Sequence, residues 1–422
     1  SSRRSLETEC AILCDKSPIL QFYNEKSLFI TGGTGFLGKV LIEKLLYTCE
    51  NIKNIYMLLK SKKEETIEKR FAEFLNSPVF GRIKEINPNV LKKIIPIQGN
   101  ILEMNLGISD GDIQILYSEV MFLIIAAKLL FSLADAINCN TRPTEKIIEI
   151  AKRMKKLQAF VYVSTAYSQC DKDFVDERIY KKDLPLKTVD YLIEEMRDQK
   201  LLEKMLIDKL PNTYTYSKAL SEQLIGDKCV DIPTAVVRPS IIISSLKEPE
   251  PGWIDGWSGV NGFTVAIGKG ILRYWYGSPD IVPDFIPVDI VVNLLIVSAW
   301  DTHVARITSG KNNIKVYNCC TGLQNPTTFE NFTIICLRSM RKHGLRKMLK
   351  IHQRTNKYAE FLGFFTQNEF NFIDVNVKNL YNKLNELDQM MFPFNVRDIN
   401  WDNFLEQYVI YSHKNIHIYS LT

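Results

Sequence analysis

Residues 31–38 read Thr31-Gly32-Gly33-Thr34-Gly35-Phe36-Leu37-Gly38, directly after the apolar run Ser27-Leu28-Phe29-Ile30 and directly before Val40, Leu41 and Leu45, which fall at helical spacing. A glycine pattern means little alone. Between a strand and an amphipathic helix it reads as the phosphate-binding turn of a dinucleotide site. Gly32 permits the tight turn, Gly35 leaves the backbone bare for a pyrophosphate, and Gly38 lets helix and strand approach closely. The helix N-terminus supplies N–H donors and positive potential, so the whole loop from Thr31 through Gly33, Thr34, Phe36 and Leu37 to Gly38 is a candidate cofactor cradle. The competing reading is a merely structural glycine-rich turn.

Outward from this loop, short apolar runs alternate with longer segments of helical period, the signature of a βαβ series. Strands are expected at residues 27–31, 55–59, 94–97, 121–126, 159–163 and 234–237. The fold class that follows is α/β, a Rossmann-type doubly wound parallel sheet with a substrate-binding extension and a small helical C-terminal domain. The expected organisation is an N-terminal segment 1–26, a dinucleotide domain 27–335 with its substrate region at about 241–300, a basic linker 336–357, and a helical unit 358–422 with a turn at Pro393. No internal repeat is present.

The second strand ends near Leu59, where an NAD site would carry an acid for the ribose 2′-hydroxyl; this chain has Lys60, Lys62 and Lys63. Cations there favour a 2′-phosphate, hence NADP(H), although a solvated loop would also carry lysines. Further on, Tyr214-Thr215-Tyr216-Ser217-Lys218 leads into strong helix formers, putting Tyr214 and Lys218 on one helical face. A phenol is a poor acid at neutral pH, and an ammonium one turn away would stabilise its phenolate and lower its pKa. Lys218 would also reach the nicotinamide ribose. Between loop and helix, residues 160–168 read as a buried strand whose carboxyl end carries hydroxyls. Thr165 is the expected second donor to a substrate oxygen, with Ser164 as its rival; both could instead only cap the next turn. No His precedes His303, which argues against a His-based triad.

Composition excludes other classes. A balance of 53 Lys plus Arg against 48 Asp plus Glu leaves +5, spread thinly, so no nucleic-acid partner is implied. With 46% hydrophobic residues the chain can build a large core, which excludes a disordered chain. The nine cysteines form no Cys-x-x-Cys framework and have no His at metal-ligand spacing, so no metal site is expected and reduced, intracellular thiols are the simpler reading. Residues 1–16 lack the apolar core of a secretory signal. Residues 282–300 are interrupted by Asp284 and Asp289, so any membrane contact is expected to be peripheral.

These residues together resemble the alcohol-forming fatty acyl-CoA reductases, extended members of the short-chain dehydrogenase/reductase superfamily. The resemblance runs over most of the chain. Besides the glycine loop it rests on Val163-Ser164-Thr165-Ala166-Tyr167, Pro211-Asn212-Thr213-Tyr214-Thr215-Tyr216-Ser217-Lys218, Val237-Arg238-Pro239 and Lys247-Glu248-Pro249-Glu250-Pro251-Gly252-Trp253-Ile254-Asp255, with Asp398-Ile399-Asn400-Trp401 in the C-terminal unit. It implies reduction of a long-chain acyl-CoA by two hydrides from NADPH, through an aldehyde, to a primary alcohol and free CoA. It also implies that Asn140 supports a proton relay, that Ala126 lets the cofactor approach, and that Asn100 stands where an Asp commonly meets the adenine. Trp253, Trp257, Phe263, Tyr274, Trp275 and Tyr276 would line an acyl channel or sit in the core.

The chain departs from the family at Ile124, Lys128, Leu130 and Pro143, and in having a short basic linker where a hydrophobic segment is usual. The family implies a place in the cytoplasm or on the cytosolic face of the endoplasmic reticulum or peroxisome, but Ser420-Leu421-Thr422 is not the usual peroxisomal ending. Oligomeric state is not readable. A nucleotide-sugar reductase or epimerase shares the loop and the Tyr-x-x-x-Lys helix, and a catalytically impaired dinucleotide-binding scaffold would retain both without turnover.

Overall fold

The computed structural model describes residues 15–61, 65–125, 132–256, 278–343, 364 and 367–414. Strands β1 (Ser27–Thr31), β2 (Asn54–Leu59), β3 (Ile94–Gln98), β4 (Val120–Ile125), β5 (Ala159–Val163), β7 (Thr234–Pro239) and β10 (Lys315–Cys319) form one sheet in the order β10-β7-β5-β4-β1-β2-β3. Every pairing in it is parallel. Central strands such as β1 and β5 are buried along their whole length, as helices on both faces require, and this explains why they read as unbroken apolar runs. The order turns back on itself between β1 and β4, which opens a crevice at the carboxyl ends of the strands. Two short pairs complete the strands: β6 (Phe174–Val175) with β11 (Asn371–Phe372), and β8 (Ile241–Ile243) with β9 (Phe285–Pro287).

The six expected strands are present, and Ala126, expected at the end of the fourth, lies outside the described residues. The seventh, β10, was not expected because Asn318 interrupts a short run. Inside the fold that amide is satisfied, donating to the carbonyls of Val175 (2.9 Å) and Ile373 (2.7 Å). β10 is an edge strand whose outward groups are met by side chains. Asn376 Nδ2 donates to the Val316 carbonyl at 3.0 Å, and the Asn318 N–H donates to Glu177 Oε1 at 3.0 Å.

Helix α1 (Phe36–Thr48) follows the glycine loop, α2 (Arg142–Arg153) precedes β5, and α3 (Thr213–Lys228) precedes β7. Helix α4 (Val288–Ser309) corrects the reading of residues 282–300. It is long and apolar enough, by length and composition, to cross a membrane, but it is mostly buried within the fold. It packs on β5, β7 and α1, and the Tyr23 hydroxyl donates to its Ile296 carbonyl at 2.8 Å. The acids that seemed to break the run sit at its entrance: Asp289 lies in the first turn and accepts the N–H groups of Leu246, Lys247 and Glu248.

The expected linker 336–357 also needs correction at its start, because residues 336–342 are the end of helix α5 (Phe329–Lys342), with Cys336 and Met340 buried. Helix α6 (Trp401–Lys414) packs along α5, and the C-terminal unit is thereby joined to the sheet domain rather than tethered beside it. Residues 344–363 lie outside the described set.

Candidate active site

Gly32 has a φ of 71°, the left-handed turn that favours glycine, and both Gly32 and Gly35 are exposed at the mouth of α1. No side chain caps this helix, so its first N–H groups face the crevice. A Cβ on Gly38 would lie 2.3 Å from the Gly32 carbonyl oxygen and 2.7 Å from the Gly33 Cα, so the loop could not keep its shape. Gly38→Ala is expected to raise the dissociation constant for a nicotinamide dinucleotide by about tenfold or more, since overpacking costs about 1–3 kcal/mol; cofactor fluorescence titration checks it. Lys60 is exposed at the carboxyl end of β2. Asn100 follows β3 and is engaged in its own turn, donating to Glu103 at 2.8 Å and accepting the Leu102 N–H at 3.2 Å.

Residues 246–255 are fastened along α1. Lys39 pairs with Asp255 at 2.8 Å, Lys44 with Glu248 at 2.6 Å, and Arg82 bridges Glu43 (2.6 Å) and Glu248 (3.1 Å). Trp253 stacks on Phe36 with ring centroids 5.4 Å apart and is fully buried, so it supports the phosphate loop instead of lining a channel. The other aromatics expected in an acyl channel, Trp257, Phe263, Tyr274, Trp275 and Tyr276, lie outside the described residues.

Helix α3 starts at Asn212, whose side chain accepts the Thr215 N–H at 2.9 Å, and this cap sets Tyr214 in the first turn. Tyr214 is partly buried and Lys218 wholly so. Their electrostatics differ from expectation. Lys218 Nζ donates to the Tyr162 hydroxyl at 2.9 Å and to the Val163 carbonyl, and burial pushes its pKa down to about 7. Burial pushes the Tyr214 phenol up to about 12, so the expected lowering by Lys218 is absent here because the amine is held at β5. Tyr214 is accordingly a phenol at neutral pH.

The two hydroxyls after β5 divide. Ser164 Oγ donates to the buried Glu222 carboxylate, whereas Thr165 Oγ1 accepts the Tyr167 N–H at 3.3 Å, leaving its own proton to donate. Thr165 is thus the better candidate for a substrate contact. Asn140 lies in a π-helical turn, Ile137–Thr141, a geometry that recurs at functional sites. Its amide donates to Ser217 Oγ at 3.0 Å and its carbonyl accepts from Thr144 Oγ1 at 2.7 Å. The structure therefore gathers Asn140, Thr165, Tyr214 and Lys218 around the end of β5 and the first turns of α3.

Two site-shaping residues were not singled out from the sequence. Glu222 and Arg238 form a fully buried pair: Arg238 Nη2 donates to Glu222 Oε2 at 2.6 Å and Nε to Oε1 at 3.0 Å. Ser168 also donates to Glu222, at 2.9 Å, while Arg238 donates to the carbonyls of Asp176 and Arg178. An arginine inside a strand otherwise apolar was the available signal, since a buried cation demands an acid partner.

A family model of NAD-binding type, described as male sterility protein, matches residues 30–295, and a second with the same description matches residues 327–417. Fatty acyl-CoA reductase 1 of Mus musculus is 33% identical over 94% of this chain and 86% of its own length. Fatty acyl-CoA reductase 2 of Mus musculus is 35% identical over 93% and 85%. Among solved structures, the terminal reductase domain of the myxalamid biosynthetic pathway has a TM-score of 0.63 at 16% identity, covering 94% of this chain and 91% of that one. That likeness speaks for the fold; the long relationship in sequence, carried through both matched regions, establishes that this chain belongs to the fatty acyl-CoA reductase family.

Proposed function

We propose that this protein reduces long-chain fatty acyl-CoA to the primary alcohol and free CoA, using NADPH. The observation that carries the reading is the placement of a protonated phenol, Tyr214, with Thr165 and Lys218 at the carboxyl edge of a sheet whose glycine loop suits a dinucleotide. The uncapped α1 terminus and the Cβ-free approach at Gly38 fit the diphosphate of the cofactor, and exposed Lys60 suits a 2′-phosphate. When bound, the cofactor supplies hydride. Thr165 and Tyr214 donate hydrogen bonds to the thioester oxygen, stabilising the oxyanion that forms on the acyl carbon, and its collapse breaks the C–S bond to release CoA thiolate. In the second reduction, the Tyr214 O–H breaks as its proton goes to the alkoxide oxygen of the alcohol product.

Purified protein is therefore expected to convert a long-chain acyl-CoA to alcohol with NADPH, measured by mass spectrometry of both alcohol and aldehyde. Lys60→Glu should raise the KM for NADPH about 10- to 100-fold, the worth of one charge-assisted phosphate contact, with little change for NADH. Equal use of NADH by the wild type, together with an indifferent Lys60→Glu, would instead assign the chain to NAD(H). Turnover of a nucleotide-sugar without any acyl-CoA reduction would overturn the substrate assignment.

A further inference from the structure

Tyr162 lies at the end of β5 with no surface exposed, directly under Lys218. Its hydroxyl accepts from Lys218 Nζ at 2.9 Å, and the same ammonium sits 4.2 Å from the centroid of its ring. The hydroxyls of Thr144, on α2, and of Ser221, on α3, lie beside the same phenol. Thr144 Oγ1 donates to the Asn140 carbonyl of the π-helical turn at 2.7 Å, whereas Ser221 Oγ donates to the Ser217 carbonyl of its own helix at 2.7 Å and lies 3.5 Å from the Asn140 oxygen. A continuous bridge of side chains therefore runs from the Lys218 amine to the Asn140 backbone, tying β5, α2, α3 and the π turn together.

The chemistry of such a bridge is specific. An amine on a four-carbon stem has many rotamers, and holding it at the carboxyl end of β5 requires something to limit them. The Val163 carbonyl supplies one acceptor. Tyr162 supplies a second acceptor and a ring face. The other charged group facing this amine among the described residues is Glu222 on its own helix, which is neutralised by Arg238 of β7.

We infer that Tyr162 is a positioning residue for Lys218, its phenol setting the lysine amine beside the Thr144 and Ser221 hydroxyls and, through Thr144, in line with the Asn140 carbonyl. The role rests on the reading of Lys218 as a member of the reductase site, and the test separates the two. Tyr162→Phe keeps the ring and deletes only the acceptor oxygen. The charged amine then loses a stabilising partner, so its protonation should shift to lower pH. Two pH profiles are measured between about pH 6 and 9, that of NADPH binding by fluorescence titration and that of kcat with a long-chain acyl-CoA. In Tyr162→Phe the alkaline limb of both is expected to move down by about half to one pH unit, with kcat at neutral pH lowered about three- to tenfold and the KM for acyl-CoA within about twofold. Tyr162→His, which returns an acceptor nitrogen, should restore part of the shift.

Superimposable binding profiles for wild type and Tyr162→Phe would overturn the inference and leave Tyr162 as a packing residue. Should wild type bind NADPH yet form neither aldehyde nor alcohol, the acyl-CoA reading fails, and the binding arm still decides the role of Tyr162. If Tyr162→Phe does not fold, Thr144→Val interrupts the bridge from its other end. A smaller shift in the same direction then supports the inference, and no shift refutes it.

Discussion

Tyr214→Phe is expected to lower alcohol formation by about 10²- to 10⁴-fold, the range over which a positioned proton donor contributes to a rate. Ring, cap and helix are all retained, because Asn212 holds the first turn through the Thr215 backbone and not through the phenol. NADPH affinity should therefore stay within about twofold, since the cofactor contacts assigned to the loop and Lys218 are intact. The loss should fall on kcat and kcat/KM alike, as expected for a group that acts in the transition state more than in the ground state. Burial pushes this phenol up to about 12, so it enters the reaction protonated, which suits a reduction that consumes protons at oxygen. Thr165 retains its hydroxyl in the variant and accounts for the residual rate. Product formation within about fivefold of wild type, assayed by mass spectrometry, would remove Tyr214 from the role of proton donor.

The second large effect concerns stability. Glu222→Gln changes one atom type and little volume, yet it strands the guanidinium of Arg238, which has no exposed surface. Breaking a buried pair in this way costs about 3–5 kcal/mol, and in a chain of this size should lower Tm by about 3–6 °C. Because Ser164 and Ser168 both donate to the same carboxylate, the loop that carries Thr165 should loosen and activity should fall at temperatures where the protein is still folded. Replacing both partners by apolar residues, as Glu222→Leu with Arg238→Met, should be less damaging than the single change, since no charge is left unpaired. Scanning calorimetry of the three proteins decides the matter. A single variant within about 2 °C of wild type would show that the pair contributes little.

Much of the central fold was legible because parallel strands are buried on both faces and read as uniform apolar runs, as Leu28-Phe29-Ile30 does. Edge strand β10 escaped notice because its meaning depends on partners distant in sequence: Asn318 is acceptable in a strand only once Val175 and Ile373 stand beside it. The long core helix escaped for a related reason, since Asp289 looks like an interruption until its carboxylate is seen to hold three N–H groups of residues 246–248. At the site, spacing along α3 placed Tyr214 and Lys218 correctly in one helix, but spacing cannot say where a lysine terminus points. Tyr162, one strand away, decides that, and an aromatic inside an apolar strand gives no sign of it.

The outward edge of β10 carries a consequence for the order in which the chain is made. Glu177 is synthesised before the strand it protects, but Asn376 follows Val316, whose carbonyl it meets, by 60 residues. Until that late stretch leaves the ribosome, the growing sheet presents an open edge on which another nascent chain could add, a recognised route to aggregation. The stretch that carries Asn376 therefore acts as a molecular seal. Preparations halted before it is made should be lost to insoluble material, even though every residue of the glycine loop and of the Tyr-x-x-x-Lys helix has already been synthesised.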